Sequence, residues 1–263
     1  MEFTVSIGSA LLIGLITAIC FAGQLLGIYT NRVLVLSFFV GWVLGDIPTA
    51  LTMGALGELA FMGFGVGAGG TVPPNPMGPG IVGTIMAITL KGSGMTVETA
   101  LALSYPFAVL FQLAITATYT ALSGLPAAIN KAIDEEKYGK FKILSNATLV
   151  AFLIIGFSIG FLSAISISSL QSFVEAFPVW LIDGLTVAGG LLPAVGFAMI
   201  MSVMLKKEYI PYILLGYVCI AYLNLPVMGV AVVGAVFGLI DYFRNDDVVA
   251  VAVVDEEDFS GGI

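Results

Sequence analysis

Long apolar runs constrain this chain more than any other feature of its sequence. They cover residues 5–28, 101–122, 149–167 and 210–240, and a helix needs about 20 apolar residues to cross the hydrocarbon core of a bilayer. Only 10% of the residues are charged, against about 25% in a typical soluble domain. The first run lacks a basic flank and a small-residue cleavage site, so we expect it to be a mature helix. The pattern predicts an all-α, multi-pass integral membrane protein.

The first half of the chain is broken into pieces that are too short or too irregular to span. The run at 33–44 has a dozen residues and ends at Gly45, and the predicted helix at 51–64 leads into a glycine-rich stretch. Segment 71–79, TVPPNPMGP, is too rich in proline to be helical. An apolar half-span at 81–90 follows. Such irregular backbone is tolerated at membrane depth where it is buried in protein or lines a cavity, and it points to a transporter binding site.

The second half of the chain contains apolar runs at 143–167, 173–204 and 209–242. Asn224 and Pro226 divide the last run into two shorter elements. The charged segment 130–142 carries lysines and is therefore predicted to be cytoplasmic. We expect a single membrane domain over residues 1–245 and an acidic, disordered tail over 246–263.

Two residues of the broken region are the leading candidates for a binding site. Glu58 is the only ionisable residue between Asp46 and Lys91, and a carboxylate at membrane depth costs about 2.5 to 3.5 kcal/mol. It is expected to line a substrate cavity, the alternative being a structural hydrogen bond to nearby backbone. Asn75 can donate to and accept from sugar hydroxyls, the alternative being a turn-forming role between prolines.

Weaker candidates are scattered along the chain. Asp46 can cap the helix that contains Pro48 or belong to the site. Gln24 lies in a polar interruption with Asn31 and Arg32, where Arg32 is expected to extend to the lipid headgroups. A further candidate, Asn224, can also bridge helices by a hydrogen bond.

Several classes of function are excluded by residues that the sequence lacks. The chain has no histidine, so it cannot carry a phosphohistidine. Its sequence contains no Walker loop, metal-ligand cluster, nucleophile elbow or basic nucleic-acid patch. Cys20 and Cys219 lie far apart in apolar runs and fit buried packing. We therefore expect no catalytic residue, no metal, no cofactor and no nucleic-acid partner.

Three segments carry a resemblance to a known family. They are GELAFMGFGVGAGGTVPPNP (57–76), PVWLIDGLTVAGGLLPAVGFAMIM (178–201) and YIPYILLGYVCIAYLNLPVMGVAVVGA (209–235). In combination they resemble the IIC subunit of the mannose-fructose-sorbose family of bacterial phosphotransferase systems. The resemblance extends over about residues 14–240.

The resemblance implies the permease part of a sugar phosphotransferase complex in the bacterial plasma membrane. A IID membrane subunit would help to carry the sugar, and soluble IIA and IIB proteins would relay phosphate from phosphoenolpyruvate. An elevator-type fold with re-entrant helices and an oligomer of IIC–IID units are implied as well. Carried over to this sequence, the family's sugar contacts nominate Glu58 and Asn75, with Asp46 and Gln24 as weaker companions.

The resemblance leaves the identity of the transported sugar open. Mannose members of the family commonly have an aspartate at the place of Asn75, so amino sugars and sorbose are as compatible as mannose. A competing hypothesis is an ion- or proton-coupled sugar carrier in which Glu58 cycles its proton. An intramembrane enzyme or scaffold would need a nucleophile, base or metal set that the sequence lacks.

Overall fold

The computed structural model describes residues 5–62, 74–175 and 177–257, and these contain helices and no strand. The all-α prediction is thereby confirmed. Within these residues, four helical stretches are long and apolar enough to cross a membrane: Ile7–Leu26, Val97–Asp134, Tyr138–Ile165 and Val179–Met204. The α-helices are α1 (Ile7–Gly23), α2 (Val33–Leu44), α3 (Ile47–Phe61), α4 (Thr84–Thr89), α5 (Val97–Ala121), α6 (Leu125–Asp134), α7 (Tyr138–Ile165), α8 (Ile167–Glu175), α9 (Val179–Met204), α10 (Ile210–Ala221) and α11 (Val227–Glu257).

Helices α1 and α7 pack side by side in opposite directions. The backbone of α7 at Gly160 meets Ile13 and Thr17, whereas nearer its start the Phe152 ring stacks on Phe21 with centroids 4.7 Å apart. Small residues allow membrane helices to approach this closely. The N-terminal end of α1 therefore lies beside the C-terminal end of α7.

The region between α1 and α5 consists of discontinuous helices, as predicted. With 12 residues, α2 is about 18 Å long and is too short to cross a bilayer. It turns into α3 at Gly45, whose φ of 82° lies in the left-handed region that glycine adopts without strain. A π-helical turn, Gly78–Gly83, leads into α4.

The end of the proline-rich segment differs from its prediction. Segment 71–79 is predicted to be non-helical, yet helix begins at Met77 and the π-helical turn includes Gly78 and Pro79. Proline is compatible with the start of a helix because the missing N–H would have no partner there. The glycine-rich stretch and residues 71–73 lie outside the described residues.

The short helices lie along the first part of α5. The backbone N–H of Asn75 donates to the Ala108 carbonyl oxygen at 3.0 Å. At the other ends of the short helices, Lys91 binds Asp46. Residues of α2, α3 and α5 share one apolar core around Val33, Met53 and Leu101. The start of α2, the end of α3 and Asn75 thus lie near the middle of α5. The turn between α2 and α3 and the end of α4 lie near the start of α5.

The apolar runs of the second half are divided. Run 173–204 belongs to two helices, α8 and α9, because Pro178 interrupts it. The expected division of the last run is confirmed by α10 and α11. Packing separates the chain into two compact units, Met1–Val203 and Met204–Ile263.

The proposed boundary at residue 245 stays a prediction. The backbone is helical over residues 246–257, where the sequence predicts an acidic disordered tail, and residues 258–263 lie outside the described part. The run VVAVAVV at 248–254 contains neither glycine nor proline, so nothing in it stops a helix.

Candidate functional site

A cavity of about 320 Å³ lies where the end of α1 meets residues 74–76. Its volume falls within the range of small-molecule sites, about 300 to 1,000 Å³. Carboxamides dominate its polar lining, with one guanidinium and two aromatic rings. Within the described residues it is lined by Gln24, Gly27, Ile28, Tyr29, Asn31, Arg32, Phe61, Pro74, Asn75, Pro76 and Gln112.

Asn75 anchors the broken segment to α5. Its Nδ2 donates to Gln112 Oε1 at 3.2 Å, and its Oδ1 accepts from the Met77 N–H at 3.0 Å. The second bond is that of an Asx turn, so the turn-forming role is present in the structure. Asn75 is only 6% exposed, and it lines the cavity at the same time. The sugar-binding role predicted for it is compatible with this geometry.

Gln24 has an unsatisfied donor beside the cavity. The chain doubles back at Gly27, where φ is 73°, and this brings the Asn31 Nδ2 within 3.1 Å of Gln24 Oε1. The Gln24 Nε2 is buried and has no hydrogen-bond partner among the described residues. An unpaired buried donor costs about 1 to 3 kcal/mol, so this amide is a candidate donor to a ligand.

Glu58 is bound to Arg32. The Arg32 Nε donates to Glu58 Oε1 at 2.5 Å and a terminal guanidinium nitrogen also pairs with this oxygen, while Oε2 accepts from the Leu34 N–H at 3.4 Å. The guanidinium of Arg32 binds the carboxylate near the end of α3, and the expectation that Arg32 extends to the headgroups stays a prediction. Arg32 lines the cavity and Glu58 is absent from the described lining. The contact with the Leu34 N–H is the structural hydrogen bond to nearby backbone that is the alternative role for Glu58.

Asp46 lies at the other end of α3. Its Oδ1 accepts from the Thr49 N–H at 3.1 Å, which confirms the predicted helix cap, and its Oδ2 pairs with Lys91 Nζ at 3.0 Å. Burial by itself raises the pKa of Asp46, but the hydrogen bonds from Thr49 and Lys91 and the lysine charge outweigh it and lower this pKa below 3.8. Glu58 comes twelve residues later, about 18 Å along the helix. The structure therefore separates Asp46 from the cavity.

Asn224 belongs to the second unit. It lies in the connection between α10 and α11 with a φ of 48°, in the left-handed region that asparagine adopts more readily than most residues. This conformation fits a turn between the two helices.

Gln112 lines the cavity and is not among the residues predicted from the sequence. It is the only carboxamide in α5, and a polar side chain within a membrane span is by default a functional hypothesis. That signal is present in the sequence but does not indicate which broken segment the amide meets. Its contact with Asn75 joins residues 37 positions apart, and this pairing depends on the fold.

Comparisons with known proteins agree on one kind of molecule. The family model described as "PTS system sorbose-specific iic component" matches residues 7–240. The N-acetylgalactosamine permease IIC component 1 of Escherichia coli strain K12 is 34% identical over 247 residues, which cover 90% of this chain and 90% of that protein.

Two solved structures share the fold. One, described as a membrane protein, has a TM-score of 0.79 at 25% identity and covers 91% of this chain and 96% of its own. A complex of the mannose transporter ManYZ with microcin E492 has a TM-score of 0.57 at 24% identity and covers 92% and 96%. The latter similarity concerns the fold alone.

Proposed function

Because this chain belongs to the family of phosphotransferase-system (PTS) sorbose-specific IIC components, we propose that it carries a hexose or amino sugar across the bacterial plasma membrane for phosphorylation during uptake. It is a multi-pass membrane protein. Its role in the system is that of the IIC translocation subunit, which binds the sugar within the membrane.

The observation that carries the sugar-binding proposal is the Gln24 Nε2, which has no partner among the described residues, beside a cavity whose polar lining is mainly carboxamides. A sugar hydroxyl both donates and accepts, as does each carboxamide group. Gln24 and Asn75, nominated from the sequence, lie on this cavity together with Asn31 and Gln112. Gln24 Nε2 thus becomes a donor to a sugar oxygen.

An amino sugar is the favoured substrate class. Support comes from the 34% identity to an N-acetylgalactosamine permease component along nearly the full length of both chains. Mannose and sorbose are the competing hexoses, and the uptake experiment below separates them.

The phosphate chemistry takes place on partner subunits. The chain contains no histidine, so a phosphoryl group must reach the sugar from a IIB protein that is itself supplied by IIA. A IID subunit completes the membrane part, in an oligomer of IIC–IID units.

The position of the cavity suits release towards the cytoplasm. Gln112 is nine residues from the end of α5, or about 14 Å, and α5 leads into the lysine-containing segment 130–142 that is predicted to be cytoplasmic. An elevator-type movement would carry the packed short helices and the cavity together. The sugar would then reach the side on which IIB phosphorylates it.

The ion- or proton-coupled alternative has no support from the relatives. It also requires a carboxylate that is available for a proton, whereas Glu58 is paired with Arg32 and with backbone.

The proposal is tested by uptake of radiolabelled N-acetylgalactosamine, galactosamine, mannose and sorbose. The host is a strain without other routes for these sugars, and it expresses the chain with its IID, IIA and IIB subunits. We expect uptake that depends on phosphoenolpyruvate and yields sugar phosphate, with an amino sugar preferred. Uptake of free sugar without IIB, driven by a proton gradient, would contradict the proposal.

A further inference from the structure

We propose that Glu58 is a positioning residue that acts through Arg32, and that Arg32, rather than Glu58, contacts the transported sugar. This inference rests on the proposed function, because it concerns the same cavity. In this proposal, Glu58 orients Arg32 and does not itself bind the sugar.

Arg32 lies between Glu58 and the cavity. Arg32 lines the cavity, and Glu58 contacts the guanidinium without being part of the described lining. The side chain of Glu58 is 24% exposed and that of Arg32 is 37% exposed. The carboxylate therefore lies behind the cation as seen from the cavity.

The Glu58 carboxylate also binds the backbone at the start of α2. Glu58 Oε2 accepts from Leu34 N–H, in the first turn of α2, where no intrahelical acceptor exists. Helix α2 has no side-chain cap of its own, since Arg32 occupies the N-cap position. A carboxylate at a helix N-terminus is also favoured by the helix dipole. Glu58 thus ties the end of α3 to the start of α2 and holds Arg32 between them.

Some N–H donors of the Arg32 guanidinium are left for a ligand. Glu58 engages the Nε and one terminal nitrogen of the guanidinium, and the planar group carries further N–H donors in a rigid fork. Once its orientation is set by Glu58, Arg32 can donate to sugar oxygens from a site whose net charge is neutral. Loss of Glu58 frees the cation to turn away and leaves it without its counter-ion.

The test is a double-mutant cycle on the full chain with its partner subunits, using the sugar that the wild type transports. The half-saturating sugar concentration and the maximal phosphorylation-coupled rate are measured for Glu58→Gln, Arg32→Gln and the double variant. Each single change should raise the half-saturating concentration about tenfold, the loss expected of a charge-assisted hydrogen bond. Glu98→Gln, an acid in the first turn of α5 that does not line the cavity, should leave it unchanged.

The double variant distinguishes positioning from direct contact. If Glu58 acts through Arg32, adding Glu58→Gln to Arg32→Gln changes the half-saturating concentration by less than about twofold. Glu58→Gln alone leaves Arg32 without its counter-ion and can fail to fold for that reason. The double variant removes both charges and therefore leaves no unpaired ion.

Two outcomes overturn the assignment. A further tenfold loss in the double variant would place Glu58 on the sugar, and a fall in maximal rate alone would make the ion pair a purely structural element. Either result leaves the wild-type uptake and the proposed function intact. Absence of sugar uptake in the wild type overturns the function and the positioning role together.

Discussion

At the cavity, hydrogen bonds divide the polar residues into those that are satisfied and one that is not. Asn75 uses its backbone N–H and both side-chain ends to attach the broken segment to α5 and to start the helix after it. Gln24 uses its oxygen for Asn31 but has a buried, unpaired Nε2 among the described residues. The two residues are therefore expected to respond differently to mutation.

We expect Gln24→Leu to reduce sugar affinity without lowering stability. The change removes the Gln24 Nε2, a buried hydrogen-bond donor that lacks a partner among the described residues. The stability gained in this way offsets the stability lost with the hydrogen bond from Asn31. Half-saturating sugar concentration in uptake assays should rise at least about tenfold, while the melting temperature in detergent should stay within a few degrees. Asn146→Leu, at an exposed site on α7, is the control. A destabilised Gln24→Leu with normal affinity would make Gln24 a structural residue.

Asp46 should contribute stability that depends on pH. Its folded-state pKa is lowered, so its contribution is fully present above the unfolded-state pKa and is lost as pH falls through the folded-state pKa. Asp46→Ala should cost about 1 kcal/mol at neutral pH through loss of the cap. The difference from wild type should shrink as pH is lowered from about 7 to about 3.

Thermal unfolding in detergent across this pH range provides the measurement. Lys91→Gln removes the ion pair but keeps the bond from the Thr49 N–H to Asp46, so it should show less than half of the effect. Sugar uptake at neutral pH should stay near normal in Asp46→Asn, because Asp46 lies away from the cavity. A loss of affinity in Asp46→Asn would restore it to the site.

At the scale of helices, the packing of α1 on α7 depends on small residues at particular turns. A Cβ at Gly160 would collide with the Thr17 side chain and lie 3.0 Å from the Ile13 carbonyl oxygen. Thr17 is fully buried and donates to that same carbonyl at 2.7 Å. Since Gln24 directly follows the last residue of α1, the position of this helix also sets one wall of the cavity.

Gly160→Ala is therefore expected to destabilise the protein by about 1 to 3 kcal/mol, the usual cost of overpacking. The measurement is the thermal unfolding of the purified protein in detergent. Gly139→Ala is a matched control on the same helix, because no atom of the described part of the chain lies within 4 Å of its added Cβ and alanine favours helix. Equal stability of the two variants would contradict the close packing of α1 against α7.

The helices show which local signals are reliable. The left-handed Gly45 and the Asp46 cap are visible in the sequence because they depend on neighbouring residues. The start of helix at Met77 differs from the prediction, because proline content alone does not indicate where in a helix the prolines lie. Proline excludes a helix interior and permits a first turn.

For the whole molecule, α5 is long and apolar enough to place the connections at its two ends on opposite sides of the membrane. Its 25 residues extend about 37 Å, which exceeds the hydrocarbon thickness. The turn that contains Gly92 precedes α5, and Gly124 follows it. Glycines at both places have open space around them.

Single cysteines at these two positions should therefore react from opposite sides. In a background carrying Cys20→Ala and Cys219→Ala, Gly92→Cys should react with a membrane-impermeant maleimide in intact spheroplasts. Gly124→Cys should react only in inverted vesicles, because the lysine-containing segment 130–142 is predicted to be cytoplasmic. Labelling of both positions from one side would contradict a full crossing by α5, and the reverse pattern would invert the orientation.

Properties that depend on neighbouring residues were accessible from the amino-acid sequence: the membrane class, the all-α fold, the broken helices and their caps. The family was also recognisable, because its motifs are contiguous segments. Which polar groups meet depends instead on the directions in which short helices run, and no local pattern encodes this. The fold pairs Glu58 with Arg32, 26 positions away, and directs Asp46 to Lys91. It thereby leaves a cavity whose unpaired donor belongs to Gln24.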